Sequence, residues 1–291
     1  MSINKSLQSK VLENLHDENI YNFLKILWIH NFESIRFGYI AENIFEDLKK
    51  VQKFEEIIEI LENNFADKDL KRFNRKTRKH GKLNEFTYSL IKPSLSNINS
   101  YLDFGCGKMG LIRRVVKENH NNIQKIYGFE PNVIMAYLPK DERVEFISEK
   151  KNLEKLENID VITINFVLHH LEQVEIKRIL EFLKSKLGKN GRVIILEESF
   201  PENPTQKPNS QINNAFLNLT KTEKFAVILT NDILINYKNL DYMPWTMQYK
   251  SMEEWEYLFE DIGFRVEKSD FIGITDVPRI KQGVTARFIL K

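Results

Sequence analysis

Apolar side chains recur at three- and four-residue steps through residues 1–95. Leu7, Val11, Leu12 and Leu15 share one face, as do Ile20, Phe23, Leu24, Leu27 and Trp28. The rhythm continues through Ile40, Ile44, Leu48, Val51, Ile58 and Leu61. That period is helical, and polar residues fill the positions between. An N-terminal helical extension is therefore expected over 1–95. Stripes this apolar must be buried, against one another or against the domain that follows; a dimer contact, a lid and a substrate wall are all open to a face left over.

Beyond residue 95 the pattern changes. Short apolar runs near 100–104, 125–130, 143–148, 160–167 and 192–198 alternate with helical segments. Such alternation predicts an α/β fold, a parallel sheet covered by helices on both faces. After Glu198, Pro201, Pro204 and Pro208 mark a loop. Phe216 to Tyr237 then reads as one long helix interrupted at Asn231-Asp232. Ser251-Met-Glu-Glu254 has the form of a capping box opening a helix that Gly263 stops. Phe264–Ile272 and Ala286–Leu290 are expected to pair as a closing antiparallel hairpin. The predicted organisation is thus an extension over 1–95 and a core over 96–291, with 199–250 inserted as a helical lid.

The first apolar run leads into Asp103-Phe-Gly105-Cys-Gly107-Lys-Met-Gly110, and Tyr127-Gly-Phe-Glu130 follows. Glycine lets a chain turn tightly and approach a ligand where a Cβ would collide. A carboxylate at the end of the next strand can accept hydrogen bonds from both hydroxyls of a ribose. The pair therefore predicts a nucleoside site. Gly105-x-Gly107-x-x-Gly110 also matches the spacing of a dinucleotide fingerprint. Asp103 argues against that reading, because it would repel a pyrophosphate and would suit a cationic ligand such as a sulfonium.

Further matches extend the pattern. Leu102-Asp-Phe-Gly-Cys-Gly107, Gly128-Phe-Glu130-Pro-Asn, Asp160-Val-Ile-Thr-Ile-Asn-Phe-Val-Leu-His-His-Leu171 and Leu187-Gly-Lys-Asn-Gly-Arg-Val-Ile-Ile-Leu-Glu197 stand in order along the chain. Together they resemble the class I S-adenosylmethionine-dependent methyltransferases, in particular the broad type 11 group, over about residues 100–198 and more loosely over 250–291, the stretch from Leu187 being similar to the family's turn and fifth strand. The resemblance implies a Rossmann-like, doubly wound seven-stranded sheet whose last strand is antiparallel. It also implies S-adenosyl-L-methionine as cofactor, S-adenosyl-L-homocysteine as product, and no metal. Carried over, the donor would lie against Asp103, Gly105, Cys106, Gly107, Glu130, Pro131, Ser148, Glu149 and Asn165. The chain departs from the pattern at Lys108-Met109: the third glycine of GxGxG would stand at Met109, and Gly110 comes one residue later.

For a hydroxyl or neutral amine as methyl acceptor, a general base helps remove the proton. His169 and His170 close the fourth apolar run and are the candidates; the alternative is that both are structural, one capping and one packing on the helix that follows. Asp103 either orients the turn, meets the donor's ammonium through a water, or bonds to backbone amides. Trp245, Met247 and Tyr249, in the predicted lid, are the expected neighbours of the acceptor or else plain core.

Composition narrows the function classes. A hydrophobic fraction of 42% and a net charge of +2 suit an ordinary enzyme core with no global field for nucleic acid. The only cysteine is Cys106, which excludes an intramolecular disulfide and a cysteine-rich zinc site. No signal core or membrane span is evident, so a cytoplasmic protein is expected. Lys68, Lys71, Arg72, Arg75, Lys76, Arg78, Lys79 and Lys82 form a basic run. It reads as a solvated face balanced by Glu55–Glu62, or as a phosphate-tracking stripe. Three functions follow: a methyltransferase for a small or medium organic acceptor, an RNA methyltransferase guided by that run, or a donor-binding scaffold without chemistry. A homodimer is compatible with each.

Overall fold

The computed structural model describes residues 3–33, 37–66, 82–118, 122–131, 139–204, 210–240, 244–275 and 283–291. The chain divides into two units. One comprises Met1–Lys82, Glu198–Ser251 and Ile272–Thr285, and the other Leu83–Glu197, Met252–Phe271 and Ala286–Lys291. Among the described residues no helix is long and apolar enough to cross a membrane.

The first unit is helical. Its N-terminal helices, Lys5–His16, Glu18–Glu33, Gly38–Leu48 and Phe54–Asn64, bury the stripes expected of them, with Ile57 taking the fully buried place assigned to Ile58. Asn4 caps the first helix by accepting from the Leu7 amide at 2.8 Å. The expected single helix over 216–237 is two helices, Gln211–Leu217 and Lys221–Ile235. The break falls at Thr220, whose hydroxyl accepts from the Glu223 amide while Glu223 reaches back to the Thr220 amide. Asn231 and Asp232 do not interrupt the second helix. They are buried polar positions: Trp28 donates to Asn231 at 3.0 Å, and the Tyr249 hydroxyl donates to Asp232 at 2.7 Å. Thr230, one residue earlier, accepts from Asn14 at 2.9 Å.

The second unit is a seven-stranded sheet of order β3-β2-β1-β4-β5-β7-β6. The strands are β1 (Ser100–Phe104), β2 (Lys125–Phe129), β3 (Val144–Ile147), β4 (Ile159–Asn165), β5 (Leu187–Glu197), β6 (Val266–Gly273) and β7 (Thr285–Leu290). β1 to β5 pair in parallel and β7 runs antiparallel to β5, so the expected doubly wound fold is present. Strand order reverses between β1 and β4, which opens a crevice beyond their carboxyl ends. The Asp160 carboxylate accepts from the amides of Asn99 and Ser100 at 2.7 and 3.0 Å, tying the start of β1 to the start of β4.

Both faces of the sheet are apolar, as a parallel sheet under helices requires. Leu102, Ile162 and Ile164 pack with Ile176 and Leu180 of the helix Gln173–Lys186 and with Trp255 and Phe259 of the helix Met252–Asp261. On the other face Tyr101, Val161 and Ile194 pack with Ile91 of the helix Lys82–Ile91 and with Ile112 and Val115 of the helix Gly110–Lys117. Each fully buried aliphatic or aromatic side chain contributes about 1.5–3 kcal/mol. The Leu187–Gly191 segment, expected as a turn before the fifth strand, belongs to β5 itself. Its register with β4 shifts between Ile159 and Val161, and a Cβ on Gly191 would lie 2.6 Å from the Ile159 carbonyl oxygen. Only glycine passes so near a neighbouring backbone.

Candidate functional site

β1, β2 and β4 converge their carboxyl ends on the turn after Phe104. The amides of Gly105 and Cys106 both donate to the Phe129 carbonyl, at 2.8 and 3.0 Å, which clamps the turn beside Glu130. Gly105 has φ +76°, and a Cβ there would stand 2.5 Å from Val167 Cγ2. Gly107 has φ +49°, and among the described residues nothing lies within 4 Å of where its Cβ would be. The first glycine is thus demanded by packing, while the second leaves room above the turn. Gly110 serves neither purpose: its Cβ would meet the Asn84 side chain at 2.4 Å, so it packs against the helix Lys82–Ile91. Lys108 is exposed, and Met109, where the third glycine of GxGxG would stand, takes a left-handed φ of 54°.

Asp103 is 2% exposed and its Oδ1 accepts two hydrogen bonds. One comes from the Thr163 hydroxyl at 2.9 Å and the other from Asn165 Nδ2 at 3.1 Å, both on β4. The backbone-amide alternative for Asp103 is therefore replaced by side-chain partners. Burial, with the nearby Glu130 charge, raises its carboxyl to about 7 against the lowering effect of Thr163 and Asn165. Asn165 Oδ1 is buried and has no hydrogen-bond partner among the described residues. Glu130 follows β2 directly, is half-buried, and its amide donates to the Ile147 carbonyl at 3.1 Å. Pro131 and Ser148 are exposed at the ends of β2 and β3, and Glu149 pairs with Lys151 at 2.5 Å, which lowers the Glu149 carboxyl. Burial, reinforced by Asp103 and Glu130, pushes the Cys106 thiol up, which keeps it protonated as a packing group under the turn.

The His-His pair lies on a 3-10 turn, Leu168–His170, after β4. His169 is 3% exposed, and its Nδ1 lies 2.5 Å from Oε2 of Glu197, itself fully buried at the end of β5. Glu197 Oε1 accepts from the amides of Val167 and Leu168 at 3.0 and 2.7 Å. One carboxylate therefore holds both the turn and the ring. Glu197 thereby fixes the orientation of the His169 ring through Nδ1. His170 is half-buried with its ring centroid 4.0 Å from that of His169. Sequence reading missed Glu197, although an acid closing an apolar run at the carboxyl end of a parallel strand is a legible signal.

The expected acceptor residues belong to the helical unit. Trp245 Nε1 donates to the Leu240 carbonyl at 3.1 Å, Met247 is 47% exposed, and Tyr249 is committed to Asp232. The basic run of Lys68, Lys71, Arg72, Arg75, Lys76, Arg78 and Lys79 lies outside the described residues, as does the side chain of Lys82.

A doubly wound sheet with a glycine turn at its reversal point, a ribose-competent acid after β2 and a buried acid at the end of β1 defines a nucleoside-donor α/β domain. Residues 52–269 match the family model described as "Methyltransferase domain", and the chain belongs to that family. It is a class I methyltransferase domain whose cofactor is S-adenosylmethionine. The site fits that cofactor: the buried, unpartnered oxygen of Asn165 and the carboxylate of Asp103 suit a cationic amino-acid tail, and the space over Gly107 admits it.

No curated protein matches the chain in sequence. Among solved structures, a SAM-dependent methyltransferase from Archaeoglobus fulgidus is 17% identical with a TM-score of 0.49, over 75% of this chain and 97% of that one. Mitomycin 7-O-methyltransferase MmcR is 17% identical with a TM-score of 0.47, over 91% and 67%. LepI, solved in complex with SAM, is 13% identical with a TM-score of 0.47, and the chain spans 43% of it. Similarity at this level assigns no role to any residue.

Proposed function

We propose that the protein transfers a methyl group from S-adenosylmethionine to a small or medium organic acceptor whose nucleophile carries a proton, such as a hydroxyl. The observation that carries this reading is the buried His169–Glu197 pair at the carboxyl edge of the sheet. A methyl acceptor without a proton to lose needs no base; one with a proton gains about 10²–10⁴ in rate from a positioned one. Bound there, the donor supplies a methyl on a cationic sulfur, and the sulfur leaves as the thioether of S-adenosylhomocysteine. His169 Nε2 takes the acceptor's proton while Glu197 stabilises the resulting imidazolium and fixes the ring. Glu130 holds the ribose, and Asp103 with Asn165 holds the amino-acid tail. Cys106 and Gly105 shape the turn beneath it, with Pro131, Ser148 and Glu149 along the nucleoside rim. His170 packs beside His169 and limits its rotation.

We assign choice of acceptor to the helical unit, with 199–250 as the lid and Trp245, Met247 and Tyr249 as its candidate contacts. The segment 199–250 leaves β5 at the carboxyl end, where the parallel strands present their ligand edge. A labelled-methyl transfer screen against fractionated cell extract tests the reading. Label entering an extractable small molecule supports it. Label entering RNA would transfer the assignment to the basic run 68–82, and donor binding with no transfer to any fraction would leave a donor-binding scaffold.

A further inference from the structure

The sheet interior beneath the donor site carries a run of polar side chains where apolar ones would pack. In the parallel register Tyr101 lies beside Val161 and Asp103 beside Thr163, so Tyr101, Asp103, Thr163 and Asn165 all point to one face. Tyr101 and Thr163 are fully buried, and their hydroxyls are 2.8 Å apart. Thr163 has a single proton and gives it to Asp103 Oδ1, so Tyr101 must be the donor to Thr163. Burial also raises the Tyr101 phenol well above its usual range, which keeps that proton in place. Asn165 then has its amide orientation settled, because only Nδ2 can donate to the carboxylate. Both bonds to Asp103 end on Oδ1. Two acceptor oxygens remain at the top of the chain: Oδ2 of Asp103 and the buried, partnerless Oδ1 of Asn165.

We propose that Tyr101 and Thr163 are positioning residues for donor binding, a hydrogen-bonded column that locks Asp103 and Asn165 so that their two unused oxygens seat the α-ammonium of S-adenosylmethionine. This rests on the donor reading above and extends it into residues that touch no ligand. The column acts by direction. A buried amide oxygen left without a donor is costly, and an ammonium with three N–H groups satisfies it and the carboxylate together. Without Thr163, Asp103 Oδ1 loses one of its two donors, and the carboxylate can rotate toward Asn165 and occupy the seat itself. Tyr101 acts one step further away, by keeping the Thr163 proton aimed at Asp103.

Calorimetric titration of the full chain tests this with S-adenosylhomocysteine and with its deamino analogue, in which hydrogen replaces the α-ammonium. The unaltered protein should bind the deamino compound at least about tenfold more weakly. Thr163→Val should weaken S-adenosylhomocysteine by about tenfold and leave the deamino compound within about twofold, with Thr163→Ser restoring the difference. Tyr101→Phe should give a smaller loss of the same selectivity. Equal affinity of the unaltered protein for the two compounds overturns the proposal even if no variant folds. So does a Thr163→Val protein that loses both ligands alike or neither. Failure of the unaltered protein to bind S-adenosylhomocysteine at all would remove the donor reading itself, and the column's role with it.

Discussion

His169 and Glu197 meet at 2.5 Å between Nδ1 and Oε2, and the other oxygen of that carboxylate holds the amides of the two residues before the histidine. Glu197 is therefore both a cap for the 3-10 turn and the partner of the imidazole. The two roles separate by substitution. Glu197→Gln keeps an oxygen for either the amides or the ring, but removes the charge that favours an imidazolium. Its kcat should fall by about a hundredfold with donor affinity unchanged. Glu197→Ala strands buried amides as well and should cost a further ~1–3 kcal/mol of stability, read by denaturant unfolding. His169→Ala should match the kcat loss of Glu197→Gln; full activity in that variant would end the base assignment.

Glu130 offers a sharper test of the donor site, because it is half-buried at a strand end and its removal opens no core cavity. Glu130→Ala should abolish measurable binding of S-adenosylhomocysteine while the thermal midpoint stays within a few degrees. Calorimetry beside a melting curve checks both halves.

Asp103, as a donor-site carboxylate, should make donor binding depend on pH. Its carboxyl, ordinarily near 3.8, stands at about 7 in the fold, and its neighbours are Tyr101 on β1, Thr163 and Asn165 on β4, Glu130 after β2 and Cys106 in the turn. Because the folded value is raised, its stabilising contribution is fully present below about 3.8 and is lost as pH rises through about 7. The ligand-free protein should therefore lose stability across that window. A cationic ligand favours the ionised carboxylate, so affinity for S-adenosylhomocysteine should rise between about pH 5.5 and 7.5, below the titration of the ligand's own amine. Asp103→Asn should flatten that profile.

The two glycines of the turn should respond differently to the same added methyl. Gly105→Ala forces a side chain into Val167 at positive φ and should cost about 1–3 kcal/mol of stability. Gly107→Ala meets no atom of the described residues and bears only the left-handed strain of about 1–2 kcal/mol, yet its methyl should enter the proposed donor space. Chemical denaturation and donor titration on the pair should show Gly105→Ala as the more unstable protein. At a temperature where both are folded, Gly107→Ala should be the one weakened toward the donor.

The strands were legible because each is a short apolar run with glycine or polar punctuation. β1 to β4 fall within a residue or two of their expected places. The places of Gly105, Gly107, Glu130 and the His-His pair just beyond the carboxyl ends of those strands were legible for the same reason. Long-range partners were not. Tyr101 and Thr163 each sit in an apolar stretch as a polar letter, Glu197 closes one, and the partners that give them meaning lie on another strand or turn. The helix over 221–235 was misjudged for a related reason. Asn231-Asp232 has the composition of a breaker, but Trp28 and Tyr249, remote in sequence, satisfy both side chains and let the helix run through. Gly188 and Gly191 read as a turn, whereas the backbone of β4 passes so close that glycine is needed inside the strand.

Strand β7 is the last of the seven to leave the ribosome, yet it occupies an inner place between β5 and β6. A nascent chain stalled before residue 285 would have β5 with an open edge and β6 with nothing to dock on. Completion of this sheet thus waits on its final strand, and a premature stop before it removes a keystone and not a fringe.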